Sequence, residues 1–107
     1  GGQRTPTAQW TVTGAGAALV CSEGQGPRLL CGTVGTVRDL GIKDPGNMGA
    51  AMAPAAYATI RAHLEDLNLT PEDYDLIVTG DLGQLGKELL LELASRDGLE
   101  LGGKLAD

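Results

Sequence analysis

The first third of the chain has the apolar pattern of two strands joined by a turn. Gln9 to Cys21 begins with an aromatic and β-branched stretch and ends on an apolar run, which predicts a long strand. Arg28 to Val37 is rich in Leu, Val and Thr and predicts a second strand. Ser22 to Pro27, which separates them, consists mostly of turn-forming residues, so we expect an antiparallel hairpin.

The pattern changes to a helical period after the connection Arg38 to Asn47. Gly49 to Asn68 predicts an amphipathic helix, because apolar residues recur at three- and four-residue spacings along one face. Pro54 is tolerated in the first turn of a helix, so we expect the regular helix to begin near Met52 or Ala53. The residues of the predicted core face are Met52, Ala56, Ile60, Leu64 and Leu67.

A short strand and a second helix complete the predicted elements. Thr70 to Asp73 is typical of a helix start and predicts a single turn. Leu76 to Val78 is apolar on both faces, which predicts a buried strand in a parallel sheet. Leu82 to Asp97 predicts a helix that Gly98 ends, with Leu85, Leu89 and Leu93 towards the core and Leu90 beside them. The order β-β-α-β-α predicts an α/β (mixed α+β) fold, a hairpin followed by α-β-α with a mixed sheet packed on helices.

Composition limits how much core this fold can build. The chain has 107 residues, enough for one domain, but 17 are glycine, none is Phe, and the aromatics are one Trp and two Tyr. We therefore expect low stability alone, or burial against something else. A net charge of -6 without a basic run argues against nucleic-acid binding, and no apolar stretch is long enough to span a bilayer. Because the sequence does not begin with Met, we expect a piece of a longer protein.

Several polar and sulfur-containing residues suggest chemistry but favour structural roles. Cys21 and Cys31 lack CxxC spacing and are expected to be buried small hydrophobes, with a disulfide across the hairpin as the alternative. His63 is the only histidine, which argues against His-based metal sites and a catalytic triad, and we expect it to be half-exposed. Arg38 and Asp39 are expected to form a structural ion pair.

The corner Thr79-Gly80-Asp81 is the first candidate ligand site. It follows the predicted buried strand, and in open α/β sheets ligands bind outside the carboxyl ends of such strands. The backbone N–H groups at the start of the following helix are potential donors to an anion. The alternative is a turn without a ligand.

Three stretches carry a resemblance to a known superfamily. Thr11 to Ala17, read TVTGAGA, is similar to the glycine-rich strand of thiolase-fold proteins, in which ketoacyl synthases usually have Asp where this chain has Thr13. Met48 to Leu67 resembles the first long helix of the second thiolase half, and Thr70 to Leu82 resembles the next strand and its ligand-side turn. In detail the phrases TVTGAGA, DLGI, MAPAA, HLEDL and TPEDYDLIVTGDL resemble the stage V sporulation protein AD family of spore-forming bacteria.

The resemblance implies a central fragment of a thiolase-like domain and no catalysis. Residues 1–37 would supply the last strand of the first half and the first strand of the second half, and residues 38–107 the start of the second half. Thiolase-fold enzymes use an early nucleophilic Cys, which is absent here, and a His at the position of Gly80. The resemblance therefore implies a non-enzymatic fold without a cofactor or metal site of its own.

The implied function is binding of dipicolinic acid, with or without calcium, for uptake of calcium dipicolinate into the developing spore. Partners would be other stage V sporulation membrane proteins at the inner forespore membrane and a second copy of the protein. Candidate ligand residues are Thr79, Gly80, Asp81 and, in the lead-in, Arg4. Two alternatives stay open: a fragment of an active thiolase or ketoacyl synthase, and a dimerisation or interaction segment without a ligand.

Overall fold

The computed structural model describes residues 13–44, 47–80 and 82–107. Within these ranges the order is helix α1 (Met48–Asp66), a 3-10 turn (Pro71–Asp73), strand β1 (Ile77–Val78), helix α2 (Gly83–Arg96) and strand β2 (Leu105–Ala106). The strands pair in parallel, with Ile77 opposite Leu105 and Val78 opposite Ala106. The mixed α/β class is confirmed, as two helices and a small parallel sheet.

The predicted hairpin is the main expectation that the structure contradicts. Residues 13–44 contain no helix or strand, and all of them except Thr33 are exposed. Cys21 and Cys31 are therefore exposed free thiols, not buried residues. A strand is stable only when its backbone pairs and one face is covered, and this glycine-rich stretch receives neither in the part of the chain described. The first residues of the predicted first strand lie outside the described ranges.

Helix α1 begins earlier than the proline suggested. It starts at Met48, so Pro54 lies inside the helix and not in its first turn. Met52, Ala56 and Ile60 pack on the core and Leu64 is buried, as predicted, whereas Leu67 is 39% exposed. Leu67 is exposed because α1 has already ended there, with Asn68 in the left-handed region at φ 53°.

The core lies where α1 crosses α2, and it uses a different face of α2 from the one predicted. Leu90 is fully buried, while Leu85 is 41% exposed. Gly49 and Gly86 face each other so closely that a Cβ on Gly86 would lie 2.8 Å from the Gly49 Cα. Because of this contact, the side of α2 that carries Gly86 and Ala94 faces the core. The predicted leucine stripe is therefore rotated away from the centre of the core. The buried residues that pack together in one cluster there are Ala53, Leu82, Leu90 and Leu105.

The connections are fixed by local hydrogen bonds, several of which the sequence predicted. The Thr70 N–H donates to Asp73 Oδ2 at 2.8 Å, as expected for a helix start with an acid at its third position. Gly98, at φ 79°, ends α2, and the Leu99 N–H donates to the Ala94 carbonyl at 2.9 Å. β2 was not predicted. With it, β1 gains one neighbour, but Val78 remains 68% exposed, so β1 is not the buried middle of a sheet.

Candidate functional site

The end of β1 and the start of α2 are joined by a carboxylate of the chain itself. The Leu82 N–H donates to Asp107 Oδ1 at 3.1 Å, and the Gly83 N–H donates to Asp107 Oδ2 at 2.9 Å. The Thr79 hydroxyl donates to Asp107 Oδ1 at 3.2 Å. Asp107 thus occupies the positive end of the α2 dipole. Two of the helix N–H groups that the sequence offered to an anionic ligand are therefore already used.

An apolar groove of about 580 Å³ lies beside this junction. One wall is the chain from Thr36 to Arg38, the other is the end of β1 continuing through Thr79 and Gly80, and α1 contributes side chains between them. The structure therefore brings two of the predicted ligand residues, Thr79 and Gly80, to a groove. Asp81 and Arg4 lie outside the described residues.

Arg38 gives the groove its charge. It is the only charged side chain among the described residues that line the groove. The predicted ion pair with Asp39 is wrong, because Asp39 Oδ1 accepts the Gly41 N–H at 2.8 Å and, within the described ranges, Arg38 makes no ion pair. A short side chain bonds its own turn more readily than it bonds the neighbouring residue. A guanidinium beside apolar walls is suited to bind a carboxylate through two parallel hydrogen bonds.

A second cluster surrounds the single histidine. His63 Nδ1 lies 2.7 Å from Thr33 Oγ1, and His63 Nε2 lies 2.5 Å from the Tyr74 hydroxyl. His63 is partly exposed, as predicted, but the sequence did not predict that both ring nitrogens are bonded. One nitrogen of a neutral imidazole donates and the other accepts, and each hydroxyl can take either role. The cluster borders a cavity of about 280 Å³ with apolar residues such as Ile60 and Leu76.

A polar network away from the groove ties the two helices together. The Tyr57 hydroxyl donates to Asp97 Oδ2, and Arg61 bonds both Glu65, at 2.8 Å, and Asp97, at 3.3 Å. Burial, followed by the hydrogen bond to Asp97, raises the pKa of Tyr57 above its ordinary 10.0. The hydrogen bond to Glu65 and its charge raise the pKa of Arg61. None of the members of this network lines the groove.

The described ranges contain neither a metal-binding cluster nor a helix that could span a membrane. No group of three or more His, Cys, Asp or Glu side chains there has an arrangement that could hold a metal ion. None of the helices in the same ranges combines the length and the apolar character that a membrane span requires.

Comparison with known proteins gives consistent matches over the whole chain. A family model described as "Stage V sporulation protein AD" matches residues 1–107. The "Stage V sporulation protein AD" of Bacillus subtilis (strain 168) is 48% identical over 107 residues, which are 100% of this chain and 32% of that protein. The chain thus spans about a third of the length of this curated relative.

Proposed function

Because this chain belongs to the stage V sporulation protein AD family, we propose that it is part of a non-catalytic, thiolase-like sporulation protein that binds dipicolinic acid. Family membership supports a role in sporulation. In this proposal, the protein takes part in uptake of calcium dipicolinate into the developing spore. It acts together with membrane protein partners at the inner forespore membrane. Dipicolinic acid is a flat pyridine ring with two carboxylates, so a site for it needs an apolar wall and a cationic or N–H donor.

The observation that carries this proposal is the groove beside Arg38. Its volume of about 580 Å³ suits a small ligand. Its apolar walls, with Met52 and Ile60 from α1, suit an aromatic ring, and Arg38 suits a carboxylate. In a chain with a net charge of -6, an arginine that no described carboxylate neutralises favours an anionic ligand. Thr79 lines the opposite wall, but its hydroxyl already donates to Asp107, so Arg38 is the donor available to a carboxylate.

The proposal that the protein is not an enzyme rests on the end of β1. Gly80 stands where the superfamily's enzymes are expected to carry an imidazole, and the only His of the chain engages both of its ring nitrogens elsewhere. The thiolase-like fold is itself part of the proposal. An acyl-transfer assay on a full-length family member is the check, and turnover that depends on the Thr79-Gly80 corner would contradict the non-catalytic role.

Calorimetric titration of dipicolinic acid, with and without calcium, tests the ligand. The titrations use the 107-residue chain and a full-length family member with the corresponding substitutions. Arg38→Gln is expected to weaken binding about ten- to a hundredfold, because a hydrogen bond to a charged group contributes about 1.5–3 kcal/mol. Arg28→Gln removes the same charge from an exposed residue outside the groove and is the matched control. Equal losses in both variants, or no binding by the full-length protein, would overturn the proposal.

A second candidate function is interaction, favoured by the apolar surface of residues 13–44. Five large aliphatic side chains there are between 83% and 96% exposed, and exposed apolar patches of this kind mark interaction surfaces. They are Leu19, Leu29, Leu30, Val34 and Val37. Light scattering at several concentrations tests this candidate. A mass that rises with concentration supports self-association, and a constant monomer mass contradicts it.

A further inference from the structure

Within the described residues, the segment 13–44 contacts α1 closely at Thr33 and Gly35. Thr33 is the one residue of this segment that is not exposed. Two residues later, Gly35 lies so close to Thr59 of α1 that a Cβ on Gly35 would overlap the Thr59 hydroxyl. The segment is therefore held on α1 around residues 33–35. The groove wall, Thr36 to Arg38, follows directly.

At this site Thr33, His63 and Tyr74 form a chain of hydrogen bonds that we name the clasp. His63 belongs to α1, and Tyr74 lies on the connection that leads into β1. The distances are 2.7 Å from Thr33 Oγ1 to Nδ1 and 2.5 Å from Nε2 to the Tyr74 hydroxyl. Because the imidazole is bonded on both sides, its ring orientation is fixed. Tyr74 thus determines where His63 offers a nitrogen to Thr33.

We infer that the clasp is a positioning device for Arg38. Rotation about the bonds near Thr33 would carry Arg38 away, since five extended residues span up to about 17 Å. With Thr33 bonded, residues 36–38 stay opposite Thr79 and the guanidinium stays at the groove. His63 and Thr33 then act on ligand binding without touching the ligand. This inference rests on the proposed function for the ligand, but the position of the segment can be measured without it.

Two substitutions break the clasp with little change in shape. Thr33→Val removes the hydroxyl and keeps the side-chain volume, and His63→Phe removes both ring nitrogens and keeps a planar ring. Thr13→Val is the matched control, because Thr13 is an exposed residue of the same segment. Each variant is made in the 107-residue chain and in a full-length family member. A cooperative urea transition retained by Thr33→Val separates loss of the clasp from loss of folding.

The first measurement is a distance between two spin labels and needs no ligand. Labels at Leu40→Cys and Leu85→Cys, with both native cysteines replaced by serine, report the separation of the segment and α2, because both positions are exposed. In the parent protein and in Thr13→Val we expect one narrow distance distribution. In Thr33→Val we expect a distribution at least about twice as broad. A distribution as narrow as that of the parent would overturn the inference.

The second measurement is a double-mutant cycle on dipicolinate affinity. Thr33→Val is expected to weaken binding about three- to tenfold, the range of one net hydrogen bond. If the clasp acts through Arg38, Arg38→Gln should cost much less affinity in the Thr33→Val background than in the parent. Full additivity would contradict positioning. If the parent protein does not bind dipicolinate, the proposed function fails, and the label distances alone decide whether the clasp holds the segment.

Discussion

The crossing of α1 and α2 makes a sharp prediction, because two opposing effects meet at Gly86. In Gly86→Ala, the new Cβ would lie 2.8 Å from the Gly49 Cα and 3.1 Å from the Gly49 carbonyl oxygen. Both obstacles are backbone atoms, so no side-chain rotation relieves them. Overpacking of this kind costs about 1–3 kcal/mol, whereas alanine gains about 0.8–1.0 kcal/mol over glycine in a helix. Because both obstacles are backbone atoms, we take the overpacking cost from the upper part of its range. The free energy of unfolding should then fall by about 1–2 kcal/mol in total.

Urea unfolding followed by far-UV circular dichroism measures this difference, and thermal unfolding should show a loss of about 4–8 °C per kcal/mol. Gly102→Ala is the matched control, because no atom lies within 4 Å of its Cβ position. Gly49→Ala approaches the same contact from α1 and should lower stability as well. If Gly86→Ala were more stable than the parent by about 1 kcal/mol, helix propensity alone would decide, and the close crossing would be refuted.

Three further predictions concern the core, the helix junction and pH. Leu90→Ala should lower the free energy of unfolding by about 2–5 kcal/mol, because Leu90 is fully buried. Leu85→Ala, on the partly exposed face, should lower it by under about 1 kcal/mol. Equal losses in the two variants would contradict the observed buried face of α2. Asp107→Asn should lower stability by about 0.5–2 kcal/mol through weaker capping of α2, and an unchanged urea midpoint would contradict it. The raised pKa of Tyr57 stabilises the fold fully below pH 10.0, and this stability is lost as pH rises through the folded-state pKa. Between pH 10.0 and the folded-state pKa, the urea midpoint should therefore fall less steeply in Tyr57→Phe than in the parent.

The features that the sequence predicted well are those whose causes lie within a few residues. The 3-10 turn follows from Thr70 and Asp73, which bond each other, and the end of α2 follows from the left-handed glycine Gly98. The extent of α1 follows from its spacing of apolar residues, apart from its first turn. The start near Met52 or Ala53 was predicted from Pro54 and is wrong. A proline fits the first turn best, but it does not prevent a helix from starting six residues earlier.

The features that the sequence did not predict depend on distant partners. β2 is only two residues long and lies shortly after Gly102 and Gly103, so its sequence does not indicate a strand. It is a strand only because it pairs with β1. The buried face of α2 includes the small residues Gly86 and Ala94, which a search for large apolar side chains overlooks. Leu82, Gly86, Leu90 and Ala94 are all buried. A close approach to Gly49 selects this face, and no signal within α2 alone indicates it.

The candidate site shows the same division between local and distant causes. Thr79 and Gly80 could be predicted because they follow a strand, and both line the groove. The sequence could not identify Arg38 as a site residue, because Thr79, on the other wall of the groove, is 41 residues away in sequence. Asp107 limits the groups that the proposed anionic ligand could use. Since it already accepts the N–H groups of Leu82 and Gly83, a carboxylate ligand would have to displace it to use the α2 dipole. The exposed guanidinium of Arg38 requires no such exchange. Under the proposed function, Arg38, positioned through Thr33, is therefore the stronger basis for recognition of an anion.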